Sequence, residues 1–247
     1  MKNSTIRLIV LLTACTLFLA MSVVIAFASP EADAAWDYNY WWNPTFRTVY
    51  FGRFEQDGNK DNGPEPIEWY VIEETASKYL LLSKYALVTE PYYTTRAYIP
   101  YEKSVVRSWL VNDFYSCAFT PSEKLRITSP IPDNSPEKTT EFVQENRPFI
   151  LSVKQASELL DYATLKCAPV KAAKDAYRNE ENGNTWWWLS TNGSDEGCQI
   201  YVGNKGNIDY GGNPTGWNGG CIRPAIYLVK ENQPQYGYGY QPPVFVR

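Results

Sequence analysis

Three short apolar segments in the first half of the chain have the pattern of strands. Residues 48–54, 67–73 and 79–83 are rich in β-branched and aromatic side chains, a composition and length typical of β-strands. Residues 57–66, between the first two segments, are rich in Gly, Asn, Asp and Pro and are predicted to form a turn-rich connection. The pattern therefore predicts a domain that opens with neighbouring strands.

The middle of the chain changes to helical spacing. Four apolar residues between positions 103 and 119 recur at intervals that place them on one face of a helix, namely Val106, Trp109, Leu110 and Phe114. Thr120 with Glu123, and Ser152 with Gln155, have the spacing of capping boxes, in which two side chains bond each other's backbone N–H groups. Each box predicts the start of a short helix.

The last third returns to strands separated by glycine-rich turns. Trp186, Trp187 and Trp188 alternate across one predicted strand, and residues 203–206 are predicted to form the hairpin turn between residues 199–202 and 207–210. Strands, then helices, then an antiparallel sheet predict an α+β fold and not a parallel, doubly wound one.

The N-terminus predicts export. Lys2 and Arg7 precede an apolar run over residues 8–27, followed by small residues at spacings that a signal peptidase reads. We assign residues 1–28 to a signal peptide, 29–47 to an irregular leader, 48–230 to one domain and 231–247 to an irregular tail. Two alternatives stay open: the apolar run is an uncleaved membrane anchor, or Cys15 belongs to a lipobox. The protein is expected to be secreted or at the cell surface, with membrane contact only through an uncleaved N-terminal segment.

Composition argues against nucleic-acid binding and against zinc- or triad-based catalysis. The net charge is −4, and the chain contains no histidine. An acidic chain is a poor candidate for nucleic-acid binding, which needs clustered Lys and Arg. Without histidine, the commonest zinc ligand and the usual base of a nucleophilic triad are both missing. No catalytic residue is assigned.

Four cysteines lie beyond the predicted signal peptide, and an even number in an oxidising compartment predicts two disulfides. We predict that Cys198 pairs with Cys221, because each opens a predicted strand and the residues between them return through glycine-rich turns. Cys117 would then pair with Cys167. The alternative is that all four are reduced thiols that pack as small apolar residues.

Ten ordered sequence blocks between residues 49 and 229 carry a family resemblance; the two most distinctive are Trp187-Trp188-Leu189-Ser190 and Ile222-Arg223-Pro224-Ala225. Together they resemble the bacterial DUF6273 family of unknown function. Its usual motifs have an arginine between the leucine and the serine of the first block, and a glycine at the position of Cys221. Both are replaced here, which leaves the role of that first arginine without a counterpart.

The C-terminal part of the domain also resembles the C-type-lectin-like fold that formylglycine-generating enzymes and the variable proteins of bacterial retroelements share. The resemblance implies an antiparallel sheet whose first and last strands are adjacent, with two main flanking helices. It also implies two functions: a recognition module, or an enzyme on the formylglycine-generating scaffold.

The aromatic and amide residues of the last third have the composition of a sugar site, in which an exposed indole is a flat apolar platform beside polar partners. We predict a ligand site formed by Trp187, Asn192, Asp195, Trp217 and Asn218. The function predicted is an exported, non-catalytic recognition module whose partner is a glycan or a cell-surface protein. The alternatives are an enzyme on the same scaffold and a structural protein of the cell envelope.

Two further groups of residues carry expectations. Arg107 and Arg223 lie in apolar blocks and are expected to pin the fold from partly buried positions. Residues 57–68 place oxygen ligands at the spacing of a calcium loop, at Asp57, Asn59, Asp61 and Glu68. Asn62 occupies the position where a calcium-binding loop has glycine. We therefore expect a solvated turn and no cofactor, with calcium as the alternative.

Overall fold

The computed structural model describes residues 46–128, 146–176 and 183–230. All of them belong to one compact unit of the chain, Pro44–Arg247. The predicted signal segment 1–28, most of the predicted leader and the tail 231–247 lie outside the described residues. Among the residues that are described, no helix combines the length and the apolar character needed to cross a membrane.

The first sheet contains five strands: β1 Thr48–Phe54, β2 Glu65–Glu74, β3 Lys78–Ser83, β5 Ile127–Thr128 and β10 Ala225–Val229. Their order is β1-β2-β3-β10-β5, and every neighbouring pair is antiparallel. The three strands predicted at the start of the domain are therefore confirmed as β1, β2 and β3.

The first and last strands are not adjacent, so this implication of the lectin-like resemblance is wrong. β10 pairs with β3, with Ile226 opposite Leu81, and β2 and β3 separate it from β1. The meander β1-β2-β3 leaves one edge of β3 open to a new partner. At the bulge of β1, the Gly52 N–H donates to Glu123 Oε1 at 3.3 Å, and a side chain at Gly52 would begin 2.6 Å from the Phe119 ring.

The helices are short. A 3-10 turn at Tyr101–Lys103 precedes α1 Val105–Ser108, which continues through a π-helical stretch, Trp109–Phe114, into α2 Tyr115–Ala118. The remaining helices of the described chain are α3 Pro121–Lys124, α4 Val153–Leu159, α5 Tyr162–Leu165 and α6 Lys171–Ala176. Both predicted capping boxes are present, at Thr120 and Ser152. Several short helices thus replace the two main helices that the resemblance implied.

The second sheet contains β4 Val88–Thr89, β6 Trp187–Asn192, β7 Cys198–Val202, β8 Ile208–Pro214 and β9 Cys221–Ile222. The order is β4-β9-β6-β7-β8, in which β6 and β9 run parallel. The predicted hairpin joins β7 to β8, and the Gly203 N–H donates to the Asn207 carbonyl at 2.7 Å. Helices with two largely antiparallel sheets confirm the α+β class.

Three tryptophans lie at the centre of the core with no exposed surface: Trp69, Trp187 and Trp188. Each indole N–H donates to a backbone carbonyl, at 2.8 Å to Phe51, 3.0 Å to Leu165 and 3.0 Å to Glu90, respectively. A buried indole needs such an acceptor because an unpaired N–H in an apolar core is costly. The bonds of Trp187 and Trp188 therefore hold α5 and the segment after β4 on the second sheet, and the bond of Trp69 joins β2 to β1.

The predicted disulfides are wrong, because the four cysteines of the described chain are free thiols. Trp187 pairs with Val202 on one side and with Cys221 on the other, whereas Cys198 lies at the far end of β7. Cys198 and Val202 are four positions apart along β7, about 13 Å, and β6 lies between β7 and β9. The distance between Cys198 and Cys221 is therefore well beyond the Cα separation of about 7 Å that a disulfide tolerates.

The other predicted pair is also kept apart. Cys117 is exposed on α2, beside β1. Cys167 is buried, with its thiol directed at the carbonyl of Lys84 beyond the end of β3. Since β2 separates β1 from β3, the two thiols belong to different parts of the fold.

Candidate functional site

The structure separates one of the predicted ligand residues from the others. Trp187 has no exposed surface, and its ring packs against the guanidinium of Arg223, with 5.0 Å between Cζ and the ring centroid. The prediction that it lines an exposed site is therefore wrong. Trp217 is 48% exposed, Asp195 and Asn218 are exposed, and Asn192 is half-buried at the end of β6.

The opposite side of the β6–β8 sheet carries a row of aromatic and acidic residues. Trp188 lies opposite Tyr201, and Tyr201 lies opposite Asp209, so these three side chains share one face. The Trp186 ring lies on the same face, 4.7 Å from the Trp188 ring and 5.1 Å from the Tyr201 ring. We call the set Trp186, Asp195, Tyr201, Asp209 and Trp217 the tryptophan–acid face.

Trp217 lies over this face on a loop that is firmly anchored. The centroid of its ring is 6.3 Å from that of Trp186. The backbone N–H of Trp217 donates to the Pro214 carbonyl at 2.9 Å. The hydroxyl of buried Thr215 lies within 3.2 Å of the carbonyls of Thr95, Ala97 and Gly197. The exposed indole is therefore presented by a fixed loop.

Two carboxylates end the row. A side chain at Gly211 would begin 3.7 Å from Asp195 Oδ2 and 3.4 Å from Asp209 Oδ1, so both acids flank the same bare stretch of backbone. Asp209 accepts the Tyr201 hydroxyl at 3.1 Å and the Gly212 N–H at 3.1 Å. Burial raises the pKa of Tyr201, and the negative charge and hydrogen bond of Asp209 raise it further. Tyr201 thus stays a hydroxyl donor that orients the carboxylate.

The site predicted from the sequence did not include Trp186, Tyr201 or Asp209. Strand alternation correctly separates Trp187 from Trp186 and Trp188, but all three indoles are buried, so alternation alone does not identify an exposed one. The predicted turn at residues 203–206 was a usable signal for the pairing of β7 with β8, but counting outward from it sets Tyr201 opposite Ile208. The structure sets Tyr201 opposite Asp209, a register shifted by one residue.

The two arginines are held by carbonyl oxygens. Arg223 is fully buried; its Nε donates to the Ser83 carbonyl at 2.9 Å and its Nη1 to the Thr164 carbonyl at 2.6 Å. Burial lowers the pKa of Arg223. Arg107 is half-buried, donates to the Pro148 carbonyl at 2.8 Å and lies 5.7 Å from the Tyr101 ring centroid.

The predicted calcium loop does not come together as a ligand set. Glu68 lies in β2 and forms an ion pair with Lys84 at 2.9 Å, whereas Asp57, Asn59 and Asp61 form a hydrogen-bonded turn. Bonds from the Asn62 amide and the Asn59 N–H lower the pKa of Asp57. Asp57 lies instead near Glu55 and Glu65, with ligand oxygens within 4.8 Å of one another, and within the described ranges these three residues are the ones that could hold a cation.

A separate cavity of about 770 Å³ lies between β1 and the α2–α3 region, lined by residues such as Tyr50, Arg53, Cys117, Phe119 and Glu123. The two charged residues of its lining are engaged within the protein. Glu123 Oε2 accepts the Thr120 N–H at 2.8 Å and its Oε1 accepts the Gly52 N–H at 3.3 Å, while Arg53 donates to the Pro64 carbonyl. The tryptophan–acid face, which presents the exposed ring of Trp217 and the exposed carboxylate of Asp195, is the stronger candidate for ligand contact.

Three of the described cysteines, Cys117, Cys167 and Cys221, are not activated nucleophiles. Burial raises the pKa of Cys117, of Cys221, and of Cys167 to about 11. Cys221, at the position where the family usually has glycine, lies 3.3 Å from the Thr185 hydroxyl and 3.5 Å from that of Thr89. Because the thiolate is the reactive form, these three side chains are inert near neutral pH.

Comparison with known proteins supplies a family but no characterised relative. No curated protein and no solved structure matches the chain. The family model described as "Domain of unknown function (DUF6273)" matches residues 76–230. The match begins after β2, so it leaves out much of the cavity and includes the whole tryptophan–acid face. Because it covers more than half of the 247 residues, the chain belongs to the DUF6273 family.

Proposed function

We propose that this protein is an exported, non-catalytic recognition module that binds a glycan on the tryptophan–acid face. The observation that carries the proposal is the indole of Trp217, which is 48% exposed and yet held on an anchored loop beside Trp186. Leaving so large an apolar ring in water costs free energy that a ligand recovers when it covers the ring.

The chemistry beside the indole suits a sugar. A sugar ring has one or two faces of C–H groups, which stack on an aromatic plane, and a rim of hydroxyls, which donate to carboxylates. Asp195 and Asp209 supply such acceptors at the end of the row. Because Asp209 is oriented by Tyr201, it pays little ordering entropy on binding.

Export is part of the proposal and is supported by the N-terminal sequence, in which Lys2 and Arg7 precede an apolar run over residues 8–27. The lectin-like kinship is also a proposal. The return of β10 to the opening sheet supports it, although β10 pairs with β3 and not with β1. An enzyme is less well supported, because burial keeps Cys117, Cys167 and Cys221 as thiols.

The experiment is a glycan array probed with the full-length chain, with Trp217→Ala as the test variant. Tyr162→Ala is the matched control, because Tyr162 is an exposed aromatic (58%) on α5 that is not one of the residues of the face. We expect Trp217→Ala to weaken binding about tenfold or more, as the loss of a stacked ring implies, and Tyr162→Ala to bind as the parent does. Failure of the parent to bind any glycan, or equal binding by both variants, would overturn the proposal.

A further inference from the structure

The charge of the tryptophan–acid face restricts which glycans it can take. Four segments surround the face: residues 95–98, 192–197, 209–211 and 214–218. Their charged residues are Asp195, Glu196, Asp209 and Arg96. Three carboxylates against one guanidinium make the rim acidic, so a ligand with positive charge is favoured and an anionic one is repelled.

The single cation of these segments lies at the Glu196 end of the rim. Arg96 Nε donates to the carbonyl of Glu196 at 3.2 Å, and its Nη2 donates to the Cys198 thiol at 3.7 Å. The hydrogen bonds that the structure gives to Asp209 come from a hydroxyl and a backbone N–H. Asp195 Oδ1 lies 3.4 Å from the Ser194 hydroxyl. Neutral donors orient these carboxylates without neutralising their charge.

The aromatic part of the face adds to the same preference. The faces of indole and phenol rings attract cations, and tryptophan does so most strongly. Trp217 and Tyr201 both pack on Trp186, and Asp209 accepts the Tyr201 hydroxyl. Trp186 is buried, Trp217 is exposed and Tyr201 is half-buried, so the rings that a protonated amine can reach on this face are Trp217 and Tyr201.

We propose, on the basis of the glycan-binding function above, that the tryptophan–acid face selects glycans with free, protonated amino groups. Its ligand class is unacetylated hexosamine, in preference to N-acetylated or acidic sugars. The C–H face of the sugar stacks on Trp217, and the ammonium group is held by Asp195 and Asp209. An N-acetyl group removes the positive charge and therefore leaves only the stacking contact.

The test compares glucosamine oligomers with N-acetylglucosamine oligomers of the same length, titrated into the full-length chain by calorimetry. We expect the glucosamine oligomer to bind about tenfold more tightly, and its affinity to fall as salt is raised. Asp195→Asn should lower the preference, and Asp195→Asn with Asp209→Asn should abolish it. Asp195 is exposed, so its variant tests the proposal even if the change at Asp209 disturbs the fold.

The outcomes separate the two proposals. Equal affinity for both oligomers, or tighter binding of the acetylated one, would overturn the amine preference and leave glycan binding intact. An amine preference that survives in both aspartate variants would also overturn it. Failure of both oligomers to bind, together with a blank array, would overturn the glycan proposal itself.

Discussion

The guanidinium of Arg223 packs on the indole of Trp187 at the centre of the molecule, with Cζ 5.0 Å from the ring centroid. Both side chains are fully buried. The carbonyls that Arg223 reaches belong to Ser83, at the end of β3, and Thr164, in α5. Trp187 reaches the Leu165 carbonyl, next to Thr164. The pair therefore ties the second sheet to α5 and to the first sheet.

Arg223→Lys is expected to lower the free energy of unfolding by about 2–4 kcal/mol. Lysine is a point donor without the planar fork, so at least one of the two buried carbonyls loses its hydrogen bond. Urea denaturation followed by tryptophan fluorescence measures the change. Arg107→Lys is the control, because Arg107 is half-buried and one carbonyl bond is at risk; an equal loss in both variants would contradict the pinning role of Arg223.

Gly220→Ala is expected to destabilise the fold by about 3 kcal/mol or more, because a methyl group there overpacks the core. A side chain at Gly220 would begin 1.9 Å from Trp188 Nε1 and 2.1 Å from its Cε2. The indole cannot move aside without losing its bond to the Glu90 carbonyl. Thermal melting of the variant measures the loss.

The matched control for this change is Gly63→Ala. Gly63 has a φ of +75° and nothing within 4 Å of an added side chain. Gly63→Ala should therefore lower the free energy of unfolding only by the backbone strain, about 1 kcal/mol. If Gly220→Ala melts at the same temperature as Gly63→Ala, the close packing of Trp188 on Gly220 is not a constraint on the fold.

Local signals in the sequence were sufficient for several of the elements. The capping boxes at Thr120 and Ser152 and the turn at residues 203–206 each depend on residues a few positions apart, and all three are present. Long-range relationships were harder. Nothing near residues 225–229 indicates that their partner is β3, because that choice depends on which sheet edge the meander leaves open.

The candidate site was predicted in part for the same reason. Trp217 and Asp195 were named correctly as exposed residues of the last third. Trp187 was predicted to line the site but is buried. Its burial depends on Arg223 and Leu165, which lie far from it in sequence. Glu68 was grouped with Asp57 by spacing, whereas Lys84 holds it in an ion pair.

The buried thiol of Cys167 is expected to lower the free energy of unfolding at alkaline pH. Burial raises its pKa from an ordinary 9.0 to about 11, so the folded protein holds the thiol proton more tightly than the unfolded chain does. This contribution is fully present below about pH 9 and is lost as the pH rises towards 11; it amounts to at most about 3 kcal/mol. Cys167→Ala should therefore flatten the decline in unfolding free energy between these pH values, as measured by urea titration. A decline as steep as that of the parent would contradict the assignment.

Gln199 should be worth more to the fold than its place in a short strand suggests. Its side-chain Nε2 donates to the carbonyls of Leu189 and Thr191, both at 2.7 Å, where the register of β6 against β7 shifts. Gln199→Ala leaves two buried or half-buried carbonyls without a donor, and we expect a loss of about 2–4 kcal/mol in unfolding free energy by urea denaturation. Gln199→Glu tests the same bonds with little change in volume: a carboxylate cannot donate, so the loss should be at least as large.

If the unfolding free energy of either variant lies within about 0.5 kcal/mol of that of the parent, the bulge in β6 holds its shape without Gln199. The loop that carries Asn192 and Asp195 would then need another support.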